Sequence, residues 1–373
     1  HVVSLCYIAD MKILNLYVTK SFLSTGTLSI VVLTFGMMGV NMIDIFKFVS
    51  RGVPLGSACA LIIYLMPMAL SLTFPVSVLV SVMLVFGRMS ADNEITAMRA
   101  CGISVLQIIS PIVIVTFFIT CVCLYLQLEL SPLFTAKSRL MVKTVGVEHP
   151  LAILEPRRTN EYENIHIYID DRIGENGIKD IQVFVFSNTK KLQQDITATT
   201  GRIEVDHRSE TMKIILDNAA VVMEDSTDGV KKRTVSKEMC FSINYGKKFN
   251  EIKLGEKPNF LTLEELFGMT RFFLREGRDT TKLSVELNKR IALGLSPIAF
   301  LLLGLPLAIR TSRKETSINL FLSVILAGVY FISILVFQAI DSKPQYYPQY
   351  LLWAPNILYQ AGGLYFLSRI VSR

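Results

Sequence analysis

GRMSADNEITAMRACGIS, residues 87–104, is a polar stretch between two long apolar runs, and its reading decides the fold. It carries helix signals of its own. Ser90 stands where an N-cap is expected. Asp92 and Glu94 fall in the first turn, where carboxylates suit the positive end of the helix dipole. Gly102 stands at the expected C-terminal stop. Ile95, Met98 and Cys101 recur at three-residue spacing and give an apolar edge. The pattern predicts a short amphipathic helix over residues 90–102, held between two membrane spans. An ordinary polar loop fits the same spacing. The functional alternative is a docking helix for a partner.

Outward from this stretch, six apolar runs are long enough to span a bilayer, at about 22–46, 58–86, 105–130, 291–309, 318–340 and 351–367. The second exceeds the usual span length and contains Pro67 and Pro75, kinks that neighbouring helices can repair. The fourth ends in LGLPL with Pro306, and the sixth contains Gly362-Gly363, small residues that let helices approach closely. Across 373 residues, 51% are hydrophobic, only 18% are charged and the mean hydropathy is +0.46. A soluble chain carries about 25% charge. The excess lies in blocks, which points to a polytopic membrane protein.

Between the third and fourth runs the character changes. From about residue 131 to 261 the pattern alternates with period two. Ile165, Ile167 and Ile169 alternate with polar neighbours, as do Ile181, Val183 and Val185. Further strands are expected at 195–206, 212–224 and 234–245, with turns at 174–177, Gly201 and 225–229. Short strands at this spacing suggest a β-sandwich, jelly roll or open β-roll. Residues 262–277 then read as an amphipathic helix in which Thr262 and Glu265 form a capping box.

Lys and Arg set the orientation. One set of short loops and ends carries nine: Lys12, Lys20, Arg88, Arg99, Arg310, Arg313, Lys314, Arg369 and Arg373. The opposite set carries three, Lys47, Arg51 and Lys343. Both termini and the 87–104 stretch are therefore expected in the cytoplasm, and the β-region outside it. The net charge of +7 reads as anchoring charge, with no basic-aromatic groove for nucleic acid. Only Cys240 of the six cysteines falls in the large polar region, so no disulfide framework is implied there. The four histidines are scattered away from ligand spacing, so no metal site is expected. No Walker A sequence is present, and energised transport would need nucleotide hydrolysis by another chain. Met11-Lys12-Ile13-Leu14 looks like a natural start, with residues 1–10 a remnant or a misplaced start, and no cleavable signal peptide is evident.

Three stretches carry a family resemblance: residues 87–104, then Val285-Glu286-Leu287-Asn288-Lys289-Arg290 leading into Leu305-Pro306-Leu307, then Trp353-Ala354-Pro355-Asn356. In that order, and with 3+3 spans around a β-insertion, the chain resembles the LptF/LptG (YjgP/YjgQ) family of lipopolysaccharide export permeases from Met11 to its C-terminus. Asn288 departs from the pattern, since many relatives have His there. The resemblance implies an α+β membrane protein with six transmembrane helices and an inserted periplasmic β-jellyroll-like domain. The organisation would be an N-terminal membrane half at 11–130, a periplasmic domain at 131–261, and a connecting helix with the C-terminal membrane half at 262–373. It implies a permease subunit of an ABC transporter in the bacterial inner membrane, not itself an enzyme. ATP and Mg would be bound by a cytoplasmic LptB-like ATPase dimer, with no cofactor on this chain. The implied partners are a second LptF/LptG-family permease, a periplasmic LptC/LptA-like β-jellyroll bridge, lipopolysaccharide and membrane lipids, and no nucleic acid. From the residues alone, an ion-coupled secondary transporter of a lipid or amphiphile, or a membrane-anchored scaffold, remain the alternatives.

The resemblance singles out Glu94 for coupling to the ATPase, with Asp92, Arg99, Ile95 and Met98 in support. Otherwise Glu94 is a dipole-stabilising surface acid and Arg99 a membrane anchor. Lys47 and Arg51 run against the charge bias and would suit a cavity mouth attracting lipid phosphates; snorkelling, or an Asp44–Lys47 pair, serves equally. Glu286 and Arg290 are four apart on one helical face and pair as a structural or gating ion pair. Phe46, Tyr64, Met66 and Phe74 suit either an acyl-chain cavity or ordinary bundle packing.

Overall fold

The computed structural model describes residues 2–50, 53–148, 157–162, 164–173, 177–187, 192–206, 211–224, 231–244, 258–310 and 316–371. The chain divides into two compact units. One comprises His1–Asn41, Ile63–Lys137 and Gly255–Arg373, and the other Met42–Ile62 and Ser138–Leu254.

In chain order the helices before the sheet are α1 (Val2–Ser50), α2 (Leu55–Ala91), α3 (Glu94–Ala100), α4 (Val105–Tyr125) and α5 (Ser131–Glu148), the last two joined by a π-helical turn over Leu126–Leu130. After the sheet come α6 (Leu263–Arg275), α7 (Thr281–Arg310), α8 (Thr316–Gln338), a single helical turn at Pro348–Leu351, and α9 (Ala354–Val371). Among the described residues, five helices are long and apolar enough to cross a membrane: Ile13–Ser50, Leu55–Ala91, Val105–Val145, Thr281–Arg310 and Ser317–Gln338. They carry the first five of the six expected spans. The sixth expected segment is broken at Leu352-Trp353 and continues as the 18-residue α9.

α2 and α7 are the buried helices of the first unit, whereas α1 and α8 expose most of their apolar side chains. Phe35, Val32, Phe321 and Ile332 are all open. Apolar residues all around a long helix suit a lipid solvent rather than water. The core joins Val18 and Phe22 of α1, Leu79, Met83 and Phe86 of α2, Ile108 and Ile112 of α4, Phe300 and Leu305 of α7, and Tyr330 of α8.

The two prolines in α7 are accommodated differently. Pro297 has no N–H for the Leu293 carbonyl, and Ser296 Oγ donates to that oxygen at 2.5 Å. Pro306 likewise leaves the Leu302 carbonyl without its helical donor. That carbonyl faces Gly363 of α9, where an added Cβ would stand 2.4 Å from the oxygen. Glycine is what allows α9 onto α7 there.

In the second unit, β1 (Thr159–Tyr162), β2 (Ile165–Ile173), β3 (Gly177–Phe186), β4 (Leu192–Asp206), β5 (Thr211–Glu224) and β6 (Lys231–Asn244) form one antiparallel sheet in sequential order. The alternation expected from the sequence is realised: Ile167, Ile169, Ile181 and Val183 are buried, joined by Ile196, Ile214, Leu216 and Val221. Two expectations change. Residues 131–148 are helical, and among the described residues the first strand begins at Thr159. Gly201 is no turn: it lies within β4, paired with Ile178 and Leu216, and a Cβ there would stand 2.7 Å from the Ile215 carbonyl. The expected turns at 174–177 and 225–229 fall mostly or wholly outside the described residues, as do Arg313 and Lys314.

Candidate functional site

The polar stretch after α2 is more compact than its sequence suggests. α2 continues to Ala91 because Met89 is fully buried in the bundle core. Packing there overrides the local cap signal. Ser90 is therefore not an N-cap. It lies in the last turn of α2, where its Oγ donates to the Ile309 carbonyl of α7 at 2.8 Å. Asp92 falls in the intervening turn rather than in a first helical turn. Asn93 holds the N-cap position with φ 60° and no side-chain cap, and α3 runs for seven residues.

The other end follows the sequence. Gly102 has φ +84°, its N–H donates to Arg99 O at 3.0 Å, and Ile103 N–H donates to Met98 O at 3.1 Å. These two bonds close a Schellman motif. Ser104 then starts α4 with a capping box to Gln107.

α3 is thus mounted with one face in and one out. Ile95 is buried, and Met98 and Ile103 pack half-buried on the same core. Asp92, Thr96, Ala97, Arg99 and Ala100 are exposed. Cys101, expected on the apolar edge, is exposed as well, since the chain has already left the helix there. Glu94 stands half-buried at the border, and Tyr17 Oη of α1 donates to its two carboxylate oxygens at 3.3 and 3.4 Å. Of the five expected coupling residues, two anchor the helix, two lie on its open side and Glu94 lies between.

Glu286 and Arg290 pair as the spacing predicts, both nearly fully buried, with Arg290 Nε donating to Glu286 Oε1 at 2.9 Å. The three-residue spacing also brings Lys289 to Glu286, and only the main-chain partners of Arg290 had no sequence signal. Lys289 Nζ donates to Glu286 Oε2, and Arg290 spends three of its remaining donors on main-chain carbonyls: Leu261 at 2.7 Å, Pro258 at 3.0 Å and Asn259 at 3.2 Å. The pair clamps the 258–261 segment, which enters α6, onto the first turns of α7. α6 itself begins at the expected Thr262–Glu265 capping box.

Nearby, residues from two of the separated sequence motifs meet. Trp353 Nε1 donates to Asn288 Oδ1 at 2.9 Å. One turn further along each helix, Asn356 Nδ2 donates to the Ala292 carbonyl at 2.8 Å, and Tyr330 Oη lies 3.1 Å from both that carbonyl and Asn356 Oδ1. The motifs are 65 residues apart in the chain and form one polar seam between α7, α8 and the start of α9.

Lys47 lies in the second unit, where its Nζ bonds Asp44 Oδ1 at 2.7 Å with both side chains well exposed. Arg51 lies outside the described residues. Among the acyl-cavity candidates, Tyr64 packs edge-on against Phe134, at 5.9 Å between ring centres.

The model of the family described as lipopolysaccharide export system permease LptF/LptG matches residues 16–369. Comparison with curated proteins gives no match.

Proposed function

The chain belongs to the LptF/LptG family of lipopolysaccharide export permeases, and from that premise we propose that it is the membrane half of an ATP-driven exporter whose energy enters through α3. The family consists of permease subunits for lipopolysaccharide, and the five apolar helices suit a multi-pass membrane protein. In the proposed assembly this chain pairs with a second permease of the family, α9 completes a sixth span, and both termini face the cytoplasm of a bacterial inner membrane. The sheet stands in the periplasm as a jellyroll-like domain and hands the lipid to a β-rich bridge. A separate cytoplasmic ATPase dimer binds ATP and Mg.

The mounting of α3 carries the reading. Ile95 and Met98 root the helix in the core, and Ser90 ties its base to the end of α7. A push on the open side would therefore move α2 and α7 together, not bend a loop. Glu94, Asp92 and Arg99 are the side chains a partner would meet. Lys47, with Arg51, is assigned to lipid phosphates, although Lys47 must then exchange its Asp44 contact. In the clamped Glu286–Arg290 pair both carboxylate oxygens and four guanidinium donors are bonded, which suits a structural joint better than an ion-coupling site.

Glu94→Lys tests the assignment. In a complex co-expressed with its ATPase, the charge reversal should abolish co-purification or uncouple ATP hydrolysis from lipid release in vesicles. Assembly and transport both surviving the reversal would remove Glu94 from the docking role.

A further inference from the structure

Across the sheet, five residues stand opposite one another in a single row: Asp170 on β2, Asp180 on β3, Thr199 on β4, Asn218 on β5 and Lys237 on β6. Ladder pairing lapses at this row and resumes beyond it in the same register. Ile169↔Ile181 and Asp171↔Lys179 flank it between β2 and β3, and Asp217↔Glu238 and Ala219↔Ser236 flank it between β5 and β6. No residue is inserted, so the row is a crease and not a bulge. Two of its residues have left-handed backbones, Asp180 at φ 49° and Asn218 at φ 53°. Asp and Asn are the non-glycine residues that tolerate this best, yet it remains a conformation concentrated at functional sites.

The face opposite the apolar core is hollowed along the crease into an open cavity of about 500 Å³. Its walls include Tyr168, Asp170, Asp180, Gln182, Asn218 and Arg233. The volume lies in the range of small-ligand sites, but the lining is polar instead of apolar. Carboxylates, amides and a guanidinium offer acceptors and donors side by side, and Tyr168 adds one aromatic ring. Charge is largely balanced, since Arg233 shares the wall and Arg157 Nε lies 3.6 Å from Asp170. A phosphate would meet two carboxylates there, and an apolar chain would meet few apolar walls. Neighbouring hydroxyls on a rigid ring need this alternation of donors and acceptors with one flat surface.

We propose that the crease is a saccharide-binding site which takes one pyranose ring, with Asp180, Gln182 and Asn218 bonding its hydroxyls and Tyr168 stacking on its face. The proposal stands on the second unit alone and does not rest on the transport mechanism.

The test uses the full chain in lauryldimethylamine oxide, a detergent without sugar, with glucose, galactose and mannose as probes in saturation-transfer NMR titrations. At least one hexose should bind saturably. Asp180→Gly and Asn218→Gly remove the side chains while giving each left-handed position the residue that suits it, so folding is preserved. Each should weaken binding at least about tenfold, the scale of one or two lost hydrogen bonds, with an unlowered thermal midpoint. Gln182→Ala, away from the left-handed positions, should weaken it too. Absence of saturable binding by all three hexoses, or wild-type affinity in both glycine variants, overturns the proposal.

Discussion

Tyr17 reaches from α1 to Glu94 at the start of α3, its hydroxyl shared between the two carboxylate oxygens at 3.3 and 3.4 Å. Both bonds are long, and a bond of this kind at a partly open site contributes at most about 1 kcal/mol. Glu94 is therefore held in place without being saturated. A cation from a docking partner can take the carboxylate, since it brings an opposite charge to a shorter bond, whereas the Tyr17 hydroxyl is uncharged and its two bonds are long.

Removing that hydroxyl separates holding from docking. Tyr17→Phe should change the affinity for the ATPase by less than about threefold, whereas Glu94→Gln should cost about tenfold or more. Titrating labelled ATPase against the purified chain in nanodiscs reads both. Equal losses in the two variants would mean that Glu94 acts only through its place on Tyr17.

Arg290 is a structural joint outside the apolar core, bonded to Glu286 and to three main-chain carbonyls. Arg290→Met leaves Glu286 buried with Lys289 alone and frees three carbonyls, so it should cost about 3–5 kcal/mol. Arg290→Lys keeps the charge but has no fork to reach 258–261, so the loss should be intermediate. Thermal unfolding in detergent orders the three proteins. A methionine variant as stable as the native chain would show that the clamp is dispensable.

Much of this was legible because it is local. The Thr262–Glu265 box fixed the start of α6, four-residue spacing brought Glu286 to Arg290, and alternation located the strands of the sheet. What stayed hidden depends on distant partners. Ser90 looks like a cap until Ile309 is beside it, and Gly201 looks like a turn until Ile215 is seen to need its space. The crease has no signal in any one strand. The proposed coupling residues were individually visible, but their division into anchors and an open side follows only from the bundle.

Asn288 and Trp353 give an optical test, because Trp353 is the one tryptophan in the chain. Asn288→Leu removes the acceptor of the indole N–H, at a cost of about 1–3 kcal/mol, and should shift the emission maximum. Asn288→His retains a ring nitrogen able to accept and should leave emission near that of the native chain. Identical spectra for the leucine and native proteins would show that the bond does not form in solution.

Asp279, just before α7, accepts from Thr281 N–H at 2.9 Å and from Thr281 Oγ at 2.5 Å, and these bonds hold its carboxyl below the usual carboxylate range. A lowered folded pKa contributes stability above the unfolded value, near about 4. That stability is lost as pH falls through the folded value. Asp279→Asn should therefore flatten the acid limb of the thermal midpoint measured from pH 6 to 3, with little change at pH 7. An unchanged acid limb would remove Asp279 as a contributor.

Gly363 and Gly328 make the sharpest pair, because the same substitution should act in opposite directions. Both are helical glycines, where alanine ordinarily stabilises by about 0.5–1 kcal/mol. At Gly328 of α8 nothing stands within 4 Å of the added Cβ, so Gly328→Ala should show that gain. At Gly363 the new carbon would stand 2.4 Å from the Leu302 carbonyl and 2.7 Å from Leu303 N, both rigid backbone of α7. Neither atom can rotate away, and relief requires α9 to move off α7. Overpacking of this kind costs about 1–3 kcal/mol, enough to outweigh the propensity gain. Displacement would also strain the Asn356 and Trp353 bonds at the other end of the helix. Gly363→Ala should therefore lower the thermal midpoint and shift Trp353 emission, while Gly328→Ala raises the midpoint and leaves emission unchanged. If both alanines stabilise equally, the close approach of α9 to the carbonyl left open by Pro306 is not a feature of the protein in its membrane.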